Sequence, residues 1–238
     1  MAQYNPSAQV PAVAVPRVEL QPLMRNVYMW MTLGLLVTTG MALVTNTIEP
    51  LRQLAMNPVV LIGTIIAQLG LVIALSWGIR RFSAQTATIM FMVYAGTMGF
   101  TLSIILLAYN TGSIVAALGT TMVLFGTMSV IGLTTNMDLS KLGTILFAGL
   151  IAVLVGMVIN FFLQSSALEF IISIAGVVIF TGLTAYDTQK IKNMSMDPAI
   201  EAEGGELMQK LSILGALTLY LDFINLFLFL LRLFGGRE

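Results

Sequence analysis

Seven apolar runs, each long enough to cross a bilayer, occupy most of this 238-residue sequence. They fall at about 27–45, 58–79, 85–108, 113–134, 142–163, 168–187 and 209–233. A helix rises ~1.5 Å per residue, so ~20 apolar residues cross a hydrocarbon core ~30 Å thick. In that medium each backbone N–H and C=O needs a partner, and a single run satisfies them by becoming an α-helix. The expected fold class is an all-α integral membrane protein with seven transmembrane helices. Little chain remains for anything else. One membrane domain is expected over 27–234, preceded by a flexible Pro-containing cytoplasmic tail over 1–26. Pro6, Pro11, Pro16 and Pro22 recur in that tail, and no basic start leads into an apolar core, so it does not read as a signal peptide.

Turn and charge signals separate the runs. They are Asn46 to Asn57 with Pro50 and Pro58, Arg80-Arg81, Asn110-Thr111-Gly112, Asn136 to Lys141, Gln164-Ser165-Ser166 and the polar stretch Lys190 to Glu206. Short loops that carry Lys and Arg stay in the cytoplasm. Arg17, Arg25, Arg80, Arg81, Lys141, Lys190, Lys192 and Lys210 gather on one side, against Arg52, Arg232 and Arg237 on the other. The N-terminus is therefore expected in the cytoplasm. Seven full spans put the C-terminus outside, whereas a re-entrant last segment would return it to the cytoplasm.

Only 9% of the residues are charged, where a soluble domain carries roughly 25%. Lys plus Arg equals Asp plus Glu at 11 each, so no charge excess points to nucleic acid, and the bilayer itself is the expected partner. The absence of Cys excludes disulfides and thiolate sites, and the absence of His removes the usual zinc ligand, general base and proton switch. No nucleotide-phosphate loop, zinc-ligand spacing or Gly-x-Ser-x-Gly elbow is present. An intramembrane aspartyl protease would show Gly-x-Gly-Asp, but Asp187 follows Ala185-Tyr186 and Asp222 follows Tyr220-Leu221. No enzyme activity and no cofactor are expected.

Nearly all charges lie in loops or at run ends. Asp222 does not. It sits near the middle of the last run, where an aspartate costs about 2.5–3.5 kcal/mol on insertion scales. Gly215, Thr218, Asp222 and Asn225 are spaced by 3, 4 and 3 residues, which places them on one helix face. The last helix should turn this polar stripe inward and pack its other faces on apolar neighbours. Asp222 either only sets helix register or forms a functional site, and intramembrane ionisable groups favour the second. Asp187 ends the sixth run and shares a face with Thr184. It either reaches the interface and pairs with Lys190, or joins Asp222. Two such carboxylates in a low-dielectric site resist double ionisation, so a proton or a cation would control the pair. Arg80 or Arg81, at the depth of Asp187, would be either ordinary positive-inside charge or a latch on that aspartate.

Gln68 and Asn160 read as interhelical hydrogen bonds. Gly112, Gly119 and Gly126, seven residues apart, read as a stripe for close helix packing. No internal repeat is visible, yet three spans starting inside followed by three starting outside fit an inverted-repeat layout.

Two motifs then carry a resemblance. Phe180-Thr-Gly-Leu-Thr-Ala-Tyr-Asp-Thr-Gln-Lys-Ile-Lys-Asn and Ser212-Ile-Leu-Gly-Ala-Leu-Thr-Leu-Tyr-Leu-Asp-Phe-Ile-Asn-Leu-Phe resemble the Bax inhibitor-1 family, its bacterial branch most closely. The likeness extends over about residues 20–236 and includes Val27-Tyr-Met-Trp-Met-Thr-Leu-Gly-Leu. It implies a last helix set centrally between two three-helix layers, in a bacterial cytoplasmic (inner) membrane. It also implies a pH-sensitive calcium leak governed by a di-aspartyl pair, with Asp187 and Asp222 in those two positions. Arg80 or Arg81 matches a basic latch on the second span. Calcium takes six to eight oxygen ligands. Asp187, Asp222, Thr218, Asn225 and backbone carbonyls would supply a few and water the rest, which suits transient passage of Ca2+. Thr184 is a further pore-lining candidate. Some bacterial relatives are implicated as modulators of a membrane-anchored AAA protease, so a regulatory protein that binds other membrane proteins is the alternative. A proton-coupled transporter of a small solute is a third reading.

Overall fold

The computed structural model describes residues 22–196 and 205–235. Among them there are eight helices and no strand. These are α1 (Pro22–Thr47), α2 (Glu49–Met56), α3 (Pro58–Gly78), α4 (Ala84–Leu107), α5 (Thr111–Thr134), α6 (Ser140–Leu163), α7 (Ser166–Ser195) and α8 (Gly205–Phe234). All except α2 are long and apolar enough to cross a membrane.

The helix starts follow local chemistry. The side chains of Asn57, Ser83, Asn110 and Ser165 accept hydrogen bonds from the first free backbone N–H groups of α3, α4, α5 and α7. Three boundaries differ from the sequence expectation. Helix α1 begins at Pro22 rather than 27, because proline suits a first helical turn and Leu23 and Met24 are buried. The remainder of the expected tail lies outside the described residues. Helix α7 runs on to Ser195, so Asp187 lies inside a helix rather than at its end. Ile191 is buried on the inner side of the extension, and Lys190 and Asn193 are exposed on its outer side. The loop after α1 contains α2, a short helix between two prolines, with Ala55 buried and Glu49 paired to Arg52.

Helices α1, α3 and α4 form one layer, and α5, α6 and α7 the other. In each layer the third helix packs between the first two, and α8 touches α1, α4, α5 and α7. The layers thus repeat one contact pattern with opposite starting sides, as the inverted layout requires. Helix α3 buries only Gln68 and Leu75, and α6 only Gly143, Leu146 and Val153. Their remaining apolar surface faces outward, where lipid replaces water as the solvent. Helix α8 is buried on all sides by residues such as Leu217, Leu219, Tyr220, Leu226 and Leu231. It begins with Glu206 beside the Ala84 N–H and ends where Ser113 Oγ donates to the Phe234 carbonyl at 2.9 Å. It therefore runs the full length of the bundle, and no re-entrant turn occurs. Arg25, Arg80, Arg81, Lys141, Lys190, Lys192 and Lys210 gather at one end of the bundle, and Arg52 and Arg232 at the other.

Hydrophobic burial does little to join helices in lipid, so close packing and hydrogen bonds must do so. Gln68 Nε2 donates to Thr101 Oγ1 at 2.9 Å and ties α3 to α4, as expected. Asn160 behaves otherwise. Its Oδ1 accepts from Ser165 N at 3.0 Å and so ties the α6–α7 turn instead of reaching across helices. The Gly112, Gly119 and Gly126 stripe also differs from expectation. No neighbouring element lies within 4 Å of a Cβ placed at Gly119 or Gly126, and Gly112 would meet only Asn110. The glycines pressed against the backbone of another helix are Gly99, against the Thr38 carbonyl, and Gly132, against the Ala185 carbonyl. A seven-residue period fixes which residues share a face, but not which face meets a neighbour.

Helix α8 is fastened to the first layer by Tyr220, whose hydroxyl lies 2.6 Å from Thr38 Oγ1. Thr38 Oγ1 also lies 2.9 Å from the Gly34 and Ala95 carbonyls. Carbonyls only accept, so Thr38 donates to one of them and accepts from Tyr220. Phe91 and Tyr94 pack edge-on against the Tyr220 ring, each at 5.8 Å between centroids. Tyr220→Phe should keep the ring contacts and lose the hydrogen bond. A loss of about 1 kcal/mol is expected in detergent unfolding titrations, and no loss would show that the bond is energetically idle.

Candidate functional site

Antiparallel packing of α7 on α8 places the acidic groups. Gly215 lies against Ile191 near one end, and Gly176 lies under the Phe229 ring near the other. Asp222 is midway between Gly215 and Phe229, so it stands level with residues 183–184 of α7. Asp187 stands nearer the lysine-rich end by about one helical turn, or ~5 Å along the axis. The two carboxylates interact electrostatically across this step. Asp187 thus stands about one turn from Asp222, an offset that sequence spacing does not reveal.

Their surroundings are unequal. Asp222 is 4% exposed, and its Oδ2 has no hydrogen-bond partner among the described residues. A buried acceptor left unpaired costs about 1–3 kcal/mol, and more when charged. Asp187 is half-buried, and the Lys190 charge acts on it. The expected direct pair does not form, because Lys190 Nζ instead stands 5.9 Å from the centroid of the Tyr186 ring. Outside the spans, Asp138 accepts from Ser140 N at 2.9 Å. Hydrogen bonds from the Ser140 side chain and backbone hold the Asp138 carboxyl below the usual carboxylate range.

The pore-lining candidates turn toward their own helices. Thr218 Oγ1 donates to the Leu214 carbonyl at 3.0 Å, Asn225 Nδ2 to the Leu221 carbonyl at 2.8 Å and Thr184 Oγ1 to the Phe180 carbonyl at 2.8 Å. Their lone pairs, and Asn225 Oδ1, remain as acceptors. Among the described residues no group of three carboxylate, His or Cys side chains comes together. Two carboxylates and a few neutral oxygens suit a passing cation better than a stored one.

Arg80 and Arg81 are exposed on the α3–α4 turn, and neither pairs with a described acid. The latch expectation therefore does not match this geometry. Helix α3 packs on the outside of α4, which places its end in the other layer from α7. The cation acting on Asp187 is Lys190, one turn along the same helix.

Two hydroxyls escaped sequence reading. Ser129 Oγ on α5 and Thr188 Oγ1 on α7 are buried without a hydrogen-bond partner among the described residues. The Phe125 ring meets Phe223 of α8 at 5.4 Å, and Gly132 meets Thr188. Ser129 lies between Phe125 and Gly132 on the buried side of α5, about one turn before Gly132 and its Ala185–Thr188 contact, so it stands nearer the level of Asp222 than of Asp187. Its i+4 spacing from Phe125 was the only sequence signal, and serine is common enough in such helices to hide it. Gln189 was also missed. It clamps the α5–α6 turn by donating to the Met137 carbonyl at 2.7 Å and accepting from Leu139 N at 2.9 Å.

Comparison with known proteins follows the same residues. A family model described as "Inhibitor of apoptosis-promoting Bax1" matches residues 20–238. An Escherichia coli (strain K12) protein named "Inner membrane protein YbhL" is 48% identical over 228 residues, covering 95% of this chain and 97% of that protein. A Rickettsia prowazekii protein, RP147, is 43% identical over 221 residues, covering 92% and 91%. A Borreliella burgdorferi protein is 42% identical over 214 residues, covering 90% and 91%.

Proposed function

The chain belongs to the Bax inhibitor-1 family as an integral protein of the bacterial inner membrane, and we propose that it is a pH-sensitive calcium (cation) leak channel gated by Asp187 and Asp222. The observation that carries this reading is Asp222 itself. It is a carboxylate at mid-helix, shut from solvent, with one oxygen unpaired among the described residues and a second carboxylate acting on it from a turn away. Such a group is costly to keep for packing alone.

The chemistry follows from charge. With both carboxylates ionised the pair repels itself, and a divalent cation entering between them relieves the repulsion. Protonation removes ligand charge and relieves it equally well, so protons and calcium compete for the pair. Lys190, seated over Tyr186, lies one turn toward the lysine-rich end and supplies a third competitor for Asp187. Asp222 is sealed in this arrangement, so passage requires α8 to shift against α7. The Tyr220–Thr38 bond holds α8 to the opposite layer.

Calcium entry into dye-loaded vesicles tests the reading. Wild-type protein should leak calcium at a rate that varies with pH. Asp222→Asn keeps the side-chain shape and should lower the leak by about tenfold, the effect of losing ~1.4 kcal/mol of ligand interaction. It should also flatten the pH response, as should Asp187→Asn. Unchanged flux and unchanged pH dependence in both variants would remove this mechanism.

A further inference from the structure

A recess of about 580 Å³ opens at the bundle end opposite the lysine-rich one, far from the aspartates. Met157, Asn160, Phe161 and Gln164 of α6, Glu169 and Ile172 of α7, and Arg232 of α8 line it. Its volume lies within the range of small-ligand sites, roughly 300–1,000 Å³. The lining is divided. Met157, Phe161 and Ile172 form an apolar wall, and the other four residues form a polar one.

The polar wall has donors to spare. The Arg232 guanidinium rests over the Phe229 ring at 5.5 Å, and Phe229 stacks on Phe180 at 5.8 Å, so the cation is positioned by packing. Among the described residues neither that guanidinium nor the Asn160 amide nitrogen donates a hydrogen bond to protein. Asn160 spends its carbonyl oxygen on Ser165 N, which fixes the amide and leaves its N–H groups for another acceptor. Gln164, in a left-handed conformation at φ 50°, brings a second amide to the rim. Three side chains with donor groups thus line one recess, and a tetrahedral oxyanion is the ligand that uses several donors at once. Glu169 stands in the same recess, so a purely anionic ligand would meet a carboxylate as well. Glu169 already holds an interaction of its own, and a carboxylate, with about four acceptor positions, can serve more than one donor. Cation and anion in one recess match a ligand that carries both charges.

The apolar wall identifies the source of that ligand. Phe161 and Phe162 are 76% and 79% exposed and meet edge-on at 5.3 Å on the outer side of α6. Val155, Val158 and Ile159, farther into the span, are exposed as well. The recess therefore sits at headgroup depth, where interfacial aromatics collect, above a helix face built for acyl chains. We infer that it binds a zwitterionic phospholipid of the phosphoethanolamine class. The phosphate rests on Arg232 and the Asn160 and Gln164 amides, and the primary ammonium donates to Glu169. This inference is independent of the calcium reading.

Native mass spectrometry of the full-length protein tests it, in micelles doped with phosphoethanolamine, phosphocholine or phosphoglycerol lipids of equal chain length. Phosphoethanolamine lipid should be retained about tenfold better than the other two, because phosphocholine has no ammonium N–H and phosphoglycerol no positive charge. Arg232→Gln should lower that retention by about tenfold, and Glu169→Gln should narrow the gap between phosphoethanolamine and phosphoglycerol. If Arg232→Gln does not fold, Asn160→Asp carries the test. It keeps Oδ1 for Ser165 N, replaces the donor with an acceptor and should also lower retention. Equal retention of the three lipids overturns the inference. So does unchanged retention in the folded variants. Displacement by free glycerophosphoethanolamine at the same concentration as the lipid also overturns it, because the ligand would then be a soluble zwitterion.

Discussion

Replacing Asp222 by leucine should yield a protein that is more stable and that, under the proposed leak mechanism, passes no calcium. The two side chains both branch at Cγ and have nearly the same shape, so leucine fits where the carboxylate lies. Its neighbours on α8 are apolar and fully packed, including Leu219, Phe223 and Leu226. The wild-type group is 4% exposed, its Oδ2 has no partner among the described residues, and Asp187 acts on it with like charge. Exchanging a buried, poorly satisfied charge for an apolar group of equal shape is commonly neutral or stabilising by ~1–4 kcal/mol. We expect about 2 kcal/mol, read as a higher midpoint in thermal unfolding of the detergent-solubilised protein. Calcium leak from the same preparation should fall to the level of empty vesicles. A variant that loses stability would mean that the carboxylate has a strong partner in the fold, and the functional reading of Asp222 would lose its support.

The second large effect is expected at Gly99. A Cβ there would collide with the Thr38 carbonyl and come within 2.9 Å of Met41 Cβ. Backbone cannot rotate away as a side chain can, so α1 and α4 must separate. Both helices also carry the Thr38 node that holds α8. Overpacking of this kind costs about 1–3 kcal/mol or more, a large share of a total stability of ~5–15 kcal/mol. Gly99→Leu should therefore sharply reduce the monodisperse, folded yield. Gly119→Leu is the control, because no neighbouring element lies within 4 Å of its Cβ. It should fold normally, and can gain up to ~1 kcal/mol from removing a helical glycine. Equal yields from both variants, or a worse Gly119→Leu, would contradict this account of how the layers join.

These glycines show where sequence reading stops. Gly119 and Gly126 are regular in spacing and drew attention, yet they face open space, while Gly99 and Gly132 stand in no visible pattern and lie against the backbone of a neighbouring helix. Period reports which residues share a helix face. It does not say which face a neighbour will cover, because lipid and protein are similarly apolar. The same limit misplaced the latch. Arg80 and Arg81 lie at the right end of the bundle, but α3 packs outside α4 and keeps them from Asp187. Asp187 itself looked terminal because apolarity ends near it. The backbone continues helically for two more turns, with Ile191 on the core side.

Asp222 was legible because its signal is energetic and local. A charge in the middle of an apolar run is conspicuous without any partner being known. The seven spans, their alternation across the bilayer and the polar stripe of the last helix were legible for the same reason. Each follows from transferring side chains and backbone between water and hydrocarbon, which depends on composition along the chain. The tertiary structure decided the matters that depend on packing. It set α8 against four helices, placed Asp187 a turn from Asp222, left Ser129 and Thr188 without partners among the described residues, and brought Arg232 and Glu169 into one recess. Those outcomes depend on shape complementarity between surfaces distant in sequence. The bilayer exerts no preference among such surfaces, so no periodicity records them.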